Sequence, residues 1–191
     1  MKTVVIVGVG ALGSHLALLV RNLDAQLVLV DFDRVEQKNV LSQFHTRMGV
    51  GRNKAQALAQ ALQGMFGLKV ETVPHRLTAD NTDAVLGKAD VVVDCLDNGA
   101  SRRLVQEWVR AHEVACLHGA LSADGQYGRA VWDELFHIDN EDVQGAPTCE
   151  GGEHLPFIAQ VAAQMAFALQ QHLEHDRKRS WDLFPGGANP L

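Results

Sequence analysis

Residues 1–13 read MKTVVIVGVGALG, and this stretch decides the fold. Residues 3–7 form a continuous β-branched, apolar run, the composition of a parallel strand buried on both faces. Gly8, Gly10 and Gly13 follow in the pattern G-x-G-x-x-G, and residues 11–22 carry apolar side chains at helical spacing. A strand that turns through glycines into a helix gathers backbone N–H groups and the positive end of a helix dipole at one point, which suits a phosphate. Asp31 closes the next apolar run, where a carboxylate accepts hydrogen bonds from ribose hydroxyls. Together these features predict nucleotide binding. Glycines required only for close strand–helix packing are the competing explanation.

The pattern repeats along the chain. Apolar runs at 27–31, 68–73, 89–95 and 114–118 predict four more strands, and segments 53–64, 81–86 and 100–112 predict helices between them. Alternation of this kind predicts an α/β fold: a Rossmann-like, doubly wound, mostly parallel sheet with helices on both faces. After His118 the alternation stops. Residues 126–134 predict a late antiparallel strand, 137–153 a long loop and 156–175 a closing helix. The expected organisation is a nucleotide-binding domain over residues 1–175 and a tail, 176–191, that frays.

Composition narrows the function classes. In 191 residues, 47% are hydrophobic and 21% charged, which excludes disordered and low-complexity chains and fits one globular domain. Acidic residues outnumber basic ones, 23 to 17, for a net charge of −6, which argues against nucleic acid or anionic membrane as partners. No uninterrupted apolar stretch reaches about 18 residues, so no membrane span is expected. The first apolar run is broken by glycines too early for a signal peptide, and the expected location is the cytoplasm. Cys95, Cys116 and Cys149 form no CxxC pair, so neither a disulfide framework nor zinc is expected. The histidines show no metal-ligand spacing and read as scattered surface or loop residues.

Two further segments bear on chemistry. Asp31-Phe32-Asp33-Arg34-Val35 leads to Asn39-Val40-Leu41-Ser42-Gln43 and then Gly51-Arg52-Asn53-Lys54-Ala55. A Lys and an Asn near the glycine turn suit a triphosphate better than a pyrophosphate, which sets ATP ahead of NAD(P) and an oxidoreductase. Asp94-Cys95-Leu96-Asp97-Asn98 ends the fourth strand, and an acidic residue at that edge faces the ligand crevice and can hold Mg2+. Helix capping is the other role open to Asp97.

The motifs GVGALGSHLA, DFDRVEQKNVLSQ, GRNKAQAL and DCLDN, in this order, resemble the ThiF/MoeB/HesA family, related to the adenylation domain of ubiquitin-activating enzymes. The resemblance covers most of residues 2–173. It implies ATP-dependent adenylation of the C-terminal Gly-Gly carboxylate of a small β-grasp carrier protein, in sulfur-transfer or modifier-activation metabolism. It also implies a phosphate turn at Gly8, Gly10 and Gly13, a ribose ligand at Asp31 and a nucleotide contact at Asn39. Lys54 would neutralise phosphate charge and Asp97 would hold Mg2+. Ala11, Asp33, Gln43 and Leu96, within the same motifs, complete the implied ATP site. The family commonly forms homodimers, and the apolar faces of the last helix are the expected interface.

Three departures accompany the resemblance. Ser42 stands where relatives carry an Arg that contacts the triphosphate; Arg47 and Arg52 are the nearby cations. An N-terminal helical arm with an Arg that reaches the partner subunit is not seen before the first strand, and paired CxxC zinc motifs are missing. These departures motivate the alternative of a degenerate, non-catalytic homologue that binds nucleotide or a partner. Cys149, in Pro147-Thr148-Cys149, resembles a position near which some relatives use a cysteine in sulfur transfer, so a catalytic thiol and an incidental loop cysteine are both carried forward. Arg102 and Arg103 read as a solvated helix face, with a carrier-tail or phosphate contact as the alternative.

Overall fold

The computed structural model describes residues 1–138 and 152–191. Strands β1 (Lys2–Val7), β2 (Ala25–Val30), β3 (Glu71–Val73), β4 (Val91–Asp94) and β5 (Ala115–Leu121) alternate with helices α1 (Ala11–Leu19), α2 (Lys54–Phe66), α3 (Thr82–Leu86) and α4 (Gly99–Ala111). Then follow β6 (Gly128–Trp132), α5 (Leu155–His175), β7 (Trp181–Phe184) and β8 (Gly187–Pro190). The described strands form one sheet of order β3-β2-β1-β4-β5-β6-β7-β8. Neighbours from β3 through to β5 pair parallel, and those from β5 through to β8 pair antiparallel.

Continuous apolar strands fit this plan because both faces of the sheet are covered. Val4 and Ile6 point into the core beneath α1, α2 and α5, while Val5 and Val7 point into the core beneath α3 and α4. The helices start and stop where the sequence signals it. The Asn53 side chain accepts a hydrogen bond from the Gln56 N–H at the start of α2, and Gly67 ends that helix with φ 70°.

The winding reverses between β1 and β4: β2 and β3 lie to one side of β1, and β4 and β5 to the other. Ligands of open α/β sheets bind at such a switch point, outside the carboxyl ends of the strands. Gly8, Asp31 and Cys95 are the first residues beyond those ends, stitched together by Gly8 N–H to Val30 O at 2.8 Å and Cys95 N–H to Val7 O at 2.9 Å.

Two expectations are corrected. The tail does not fray: Trp181 and Leu183 are buried, and the β7–β8 hairpin extends the sheet from β6. The apolar side of α5 mostly faces inward and not towards a partner: Phe157, Ile158, Val161, Met165 and Leu169 are buried within the chain's own core, while Phe167 is exposed. The predicted loop 137–153 lies mostly outside the described residues. No helix among the described residues is long and apolar enough to cross a membrane.

Candidate nucleotide site

The three glycines of the turn do different things. Gly8 has φ +88°, and a Cβ there would meet the Cys95 carbonyl oxygen at 2.9 Å. A Cβ on Gly13 would meet the Gly8 carbonyl oxygen at 1.9 Å. Backbone packing alone requires both. At Gly10 the nearest atom to such a Cβ among the described residues is Gln43 Nε2, at 4.0 Å. Gly10 therefore leaves room above the start of α1, as a ligand cradle does. It is also the residue before the helix, with no side-chain cap, and the first return bond runs from Ser14 N–H to the Gly10 carbonyl. The amides of Ala11, Leu12 and Gly13 precede that bond and belong to the helix end that attracts anions.

Asp31 sits beside the turn. Its carboxylate accepts the Val9 N–H at 2.9 Å and the Asp33 N–H at 2.8 Å. Burial raises its pKa, against the opposing pull of Lys54 and those two amides. Lys54 opens α2 with its side chain 11% exposed, and its Nζ lies 3.2 Å from Asp33 Oδ2. Asn53 Nδ2 donates to the carbonyls of Asp31 at 2.7 Å and Asp33 at 3.2 Å, which ties the start of α2 to the end of β2. The structure thus brings Asp31, Asp33 and Lys54 together at the glycine turn.

The connection between β2 and α2 forms the second wall. Asn39 is buried, and its Oδ1 accepts the Glu36 N–H at 2.8 Å, so that oxygen holds the short helical turn Gln37–Leu41. Beyond it, residues 42–45 are laid across α1. Phe44 N–H donates to Ser14 Oγ at 2.9 Å, and His15 Nε2 lies 3.0 Å from the Ser42 carbonyl. His45 Nε2 donates to the Val9 carbonyl at 2.9 Å. Among the described residues Gln43 Oε1 and His45 Nδ1 are buried without a hydrogen-bond partner, and buried polar atoms are rarely left so unless a ligand, water or further chain meets them. Sequence reasoning named Gln43 but missed His45. Ser42 is itself buried, Arg47 is exposed and the Arg52 guanidinium hydrogen-bonds Gln60.

On the other side of β1, Asp97 is exposed. It does not cap α4: Asn98 does, accepting the Ser101 N–H at 2.9 Å. The Asp97 carboxylate meets Asn98 Nδ2 at 3.5 Å, the outer limit of a hydrogen bond. An exposed, scarcely engaged carboxylate at this edge fits Mg2+, which typically takes one or two carboxylates and completes its shell with water and phosphate oxygens. Leu96, between the two acidic residues, donates its N–H to Asp94 Oδ1 at 2.9 Å.

Behind this loop lies a charged network that sequence reasoning missed. Asp94 and His118 are fully buried and stand opposite one another on β4 and β5. His118 Nδ1 is 2.8 Å from Asp94 Oδ2, its Nε2 is 3.2 Å from Asp133 Oδ1, and its ring stacks on Phe136 at 4.0 Å. Burial alone would discharge this ring. The carboxylates of Asp133 and Asp94, hydrogen-bonded to its two nitrogens, outweigh it and raise its pKa, and an acceptor on each nitrogen favours the imidazolium. Arg102 is no solvated residue: its guanidinium pairs with Asp94 at 3.0 Å and its side chain is 12% exposed.

The cysteines divide. Burial pushes the thiol pKa values of Cys95 and Cys116 up, which makes both poor nucleophiles. Cys149 lies outside the described residues.

The model of the ThiF family matches residues 1–179. The chain is 35% identical over 121 residues to the SAMP-activating enzyme E1 of Haloferax volcanii, covering 62% of this chain and 45% of that protein. It is 39% identical over 128 residues to the sulfur carrier protein adenylyltransferase of Thermus thermophilus, covering 65% and 47%. The matched stretches thus span less than half the length of either relative. The crystal structure of E. coli MccB with ATP shares the fold, with a TM-score of 0.77 over 100% of this chain and 62% of MccB, at 15% identity.

Proposed function

From the chain's membership of the ThiF family we propose that it is an ATP-dependent adenylyltransferase acting on the C-terminal carboxylate of a small ubiquitin-like or sulfur-carrier protein. One observation carries the reading: at the switch point, an open Gly10 turn is flanked by Lys54 and Asp31 on one side and by an uncapped Asp97 on the other. The names of the Haloferax and Thermus relatives supply the reaction and the class of partner.

The chemistry asks for positioning and charge neutralisation more than for acid–base groups. The carrier's terminal carboxylate oxygen attacks the α-phosphorus of ATP, the bond to the bridging oxygen of the β-phosphate breaks, and pyrophosphate leaves. The product is a mixed acyl–phosphate anhydride, ready for a sulfur nucleophile. Gly8, Gly10, Ala11 and Gly13 would cradle phosphate with backbone amides, and Asp31 would receive the ribose hydroxyls. Gln43 and Asn39 would line the nucleotide, and Lys54 would offset phosphate charge. Asp97, beside Leu96, would hold Mg2+, whose charge offsets that of the departing pyrophosphate. A homodimer in the cytoplasm is the expected setting, and a sulfur-accepting role for Cys149 belongs to the same reading.

The test is ATP–pyrophosphate exchange in the presence of candidate carriers ending in Gly-Gly. Carrier-dependent exchange that disappears in Lys54→Ala and Asp97→Ala is expected. ATP binding with no exchange from any carrier would overturn the reading. That outcome is what the second reading, a non-catalytic nucleotide-binding homologue, expects, and Ser42, standing where relatives carry an Arg, is the observation that favours it.

A further inference from the structure

Asp97 owes its position to its backbone, because among the described residues its carboxylate has one hydrogen-bond contact, at 3.5 Å. The buried Asp94–Arg102 ion pair helps fix that backbone. Asp94 Oδ1 accepts the Leu96 N–H at 2.9 Å, and the other oxygen of the same carboxylate takes Arg102 Nη1 at 3.0 Å. Arg102 Nη2 in turn donates to the Leu96 carbonyl, and also to the Gly119 carbonyl at 2.7 Å. Asp94 and Arg102 thus hold the two ends of residue 96, one by its amide and the other by its carbonyl, immediately before Asp97. The Gly119 contact fastens the clamp to β5, and His118 fixes Asp94 from the far side.

We infer that Arg102 is a positioning residue for the metal-binding loop: by clamping Leu96 against Asp94 and Gly119 it sets where the Asp97 carboxylate stands. The inference rests on the reading of Asp97 as the Mg2+ ligand. Its physical basis is the planar fork of the guanidinium, which serves three acceptors on different elements at once. A lysine ammonium is a point donor on a flexible stem and does not reproduce that geometry. Partners that orient a metal ligand typically change metal affinity by about 10- to 100-fold when removed.

The experiment is calorimetric titration of ATP into the full chain, with and without MgCl2, for wild type, Arg102→Lys, Asp97→Asn and the double variant. Wild type should bind ATP more tightly with Mg2+. Arg102→Lys should lose about 10-fold of that enhancement while its affinity for ATP without Mg2+ stays within about twofold. In the Asp97→Asn background the second substitution should cost no further Mg2+ enhancement, because the residue it positions is gone. Arg110→Met, which breaks an exposed ion pair to Asp133 in the same network, should leave the enhancement unchanged. If Arg102→Lys does not fold, Asp94→Asn weakens the clamp with a near-isosteric side chain and should show the same loss to a smaller degree. Losses in Mg2+ enhancement that multiply in the double variant, or an Arg102→Lys variant with full enhancement, would overturn the positioning role. An Asp97→Asn variant with full enhancement would instead overturn Asp97 as the metal ligand.

Discussion

His45 donates its Nε2–H to the carbonyl oxygen of Val9, 2.9 Å away, so a histidine from the β2–α2 connection holds the residue between the first two glycines of the turn. A carbonyl only accepts, so Nε2 carries the proton and Nδ1 of the neutral ring is a bare acceptor.

That geometry has a pH signature. Burial first, with help from the charges of Lys54 and His15, lowers the His45 pKa from 6.5 to about 4, against the pull of the Val9 carbonyl. Between these values the unfolded chain binds a proton that the folded chain refuses, so stability falls as pH drops from 6.5 towards 4. The full window is worth about 3 kcal/mol. Urea midpoints at pH 7 and pH 4.5 should differ accordingly, and His45→Leu should lose most of the difference. An unchanged pH slope in that variant would assign the loss to other groups, of which His15, also lowered by burial, is the first to test.

The glycines separate packing from binding. In Gly13→Ala the new methyl collides with the Gly8 carbonyl, backbone against backbone, and should cost about 1–3 kcal/mol or more. In Gly10→Ala the methyl enters open space near Gln43. This variant should melt closer to wild type yet bind ATP more weakly, because the methyl occupies the cradle. Melting curves with and without ATP distinguish the two; equal losses of stability would remove the distinction drawn between these glycines.

The parallel half of the fold was legible because strands buried on both faces must be apolar throughout: VVIV, LVLV and VVVD announce themselves. Motif spacing likewise singled out Asp31 and Lys54, which lie together beside the glycine turn, and Asp97, which stands exposed beyond the end of β4. The hairpin was hidden because Gly186, Gly187 and Pro190 dominate its composition. Its signal was the alternation of buried Trp181 and Leu183 with more exposed Asp182 and Phe184. The Asp94–Arg102–His118–Asp133 network was hidden for another reason. It joins residues far apart in sequence, and only the register that sets Asp94 opposite His118 brings them together.

The hairpin lies beyond residue 179, where the family match ends, yet it carries packing weight. Leu183 is fully buried, Trp181 nearly so, and Ser180 Oγ accepts the Trp132 N–H at 3.0 Å. A chain ending at residue 179 should therefore lose the burial of two large side chains, about 1.5–3 kcal/mol each, and bare the edge of β6. Lower melting and concentration-dependent aggregation are the expected results. A truncated chain that melts with wild type would make the hairpin an ornament of the sheet.

Asp31 tests whether the turn is held by charge or by shape. Its two oxygens take the amides of Val9 and Asp33, and burial raises its pKa, so the fold bears a desolvation cost for keeping it ionised. Asp31→Asn relieves that cost and keeps one acceptor oxygen, so its stability should stay within about 1 kcal/mol of wild type. Asp31→Ala strands both amides and should cost about 1–3 kcal/mol. Both should bind ATP about tenfold or more weakly if the carboxylate also receives ribose hydroxyls, since one charge-assisted hydrogen bond is worth about that factor. Chemical denaturation with ATP titration on the same samples checks both halves. An Asn variant as unstable as Ala would show that the charge itself holds the turn, and undiminished ATP affinity in both would remove Asp31 from the nucleotide site.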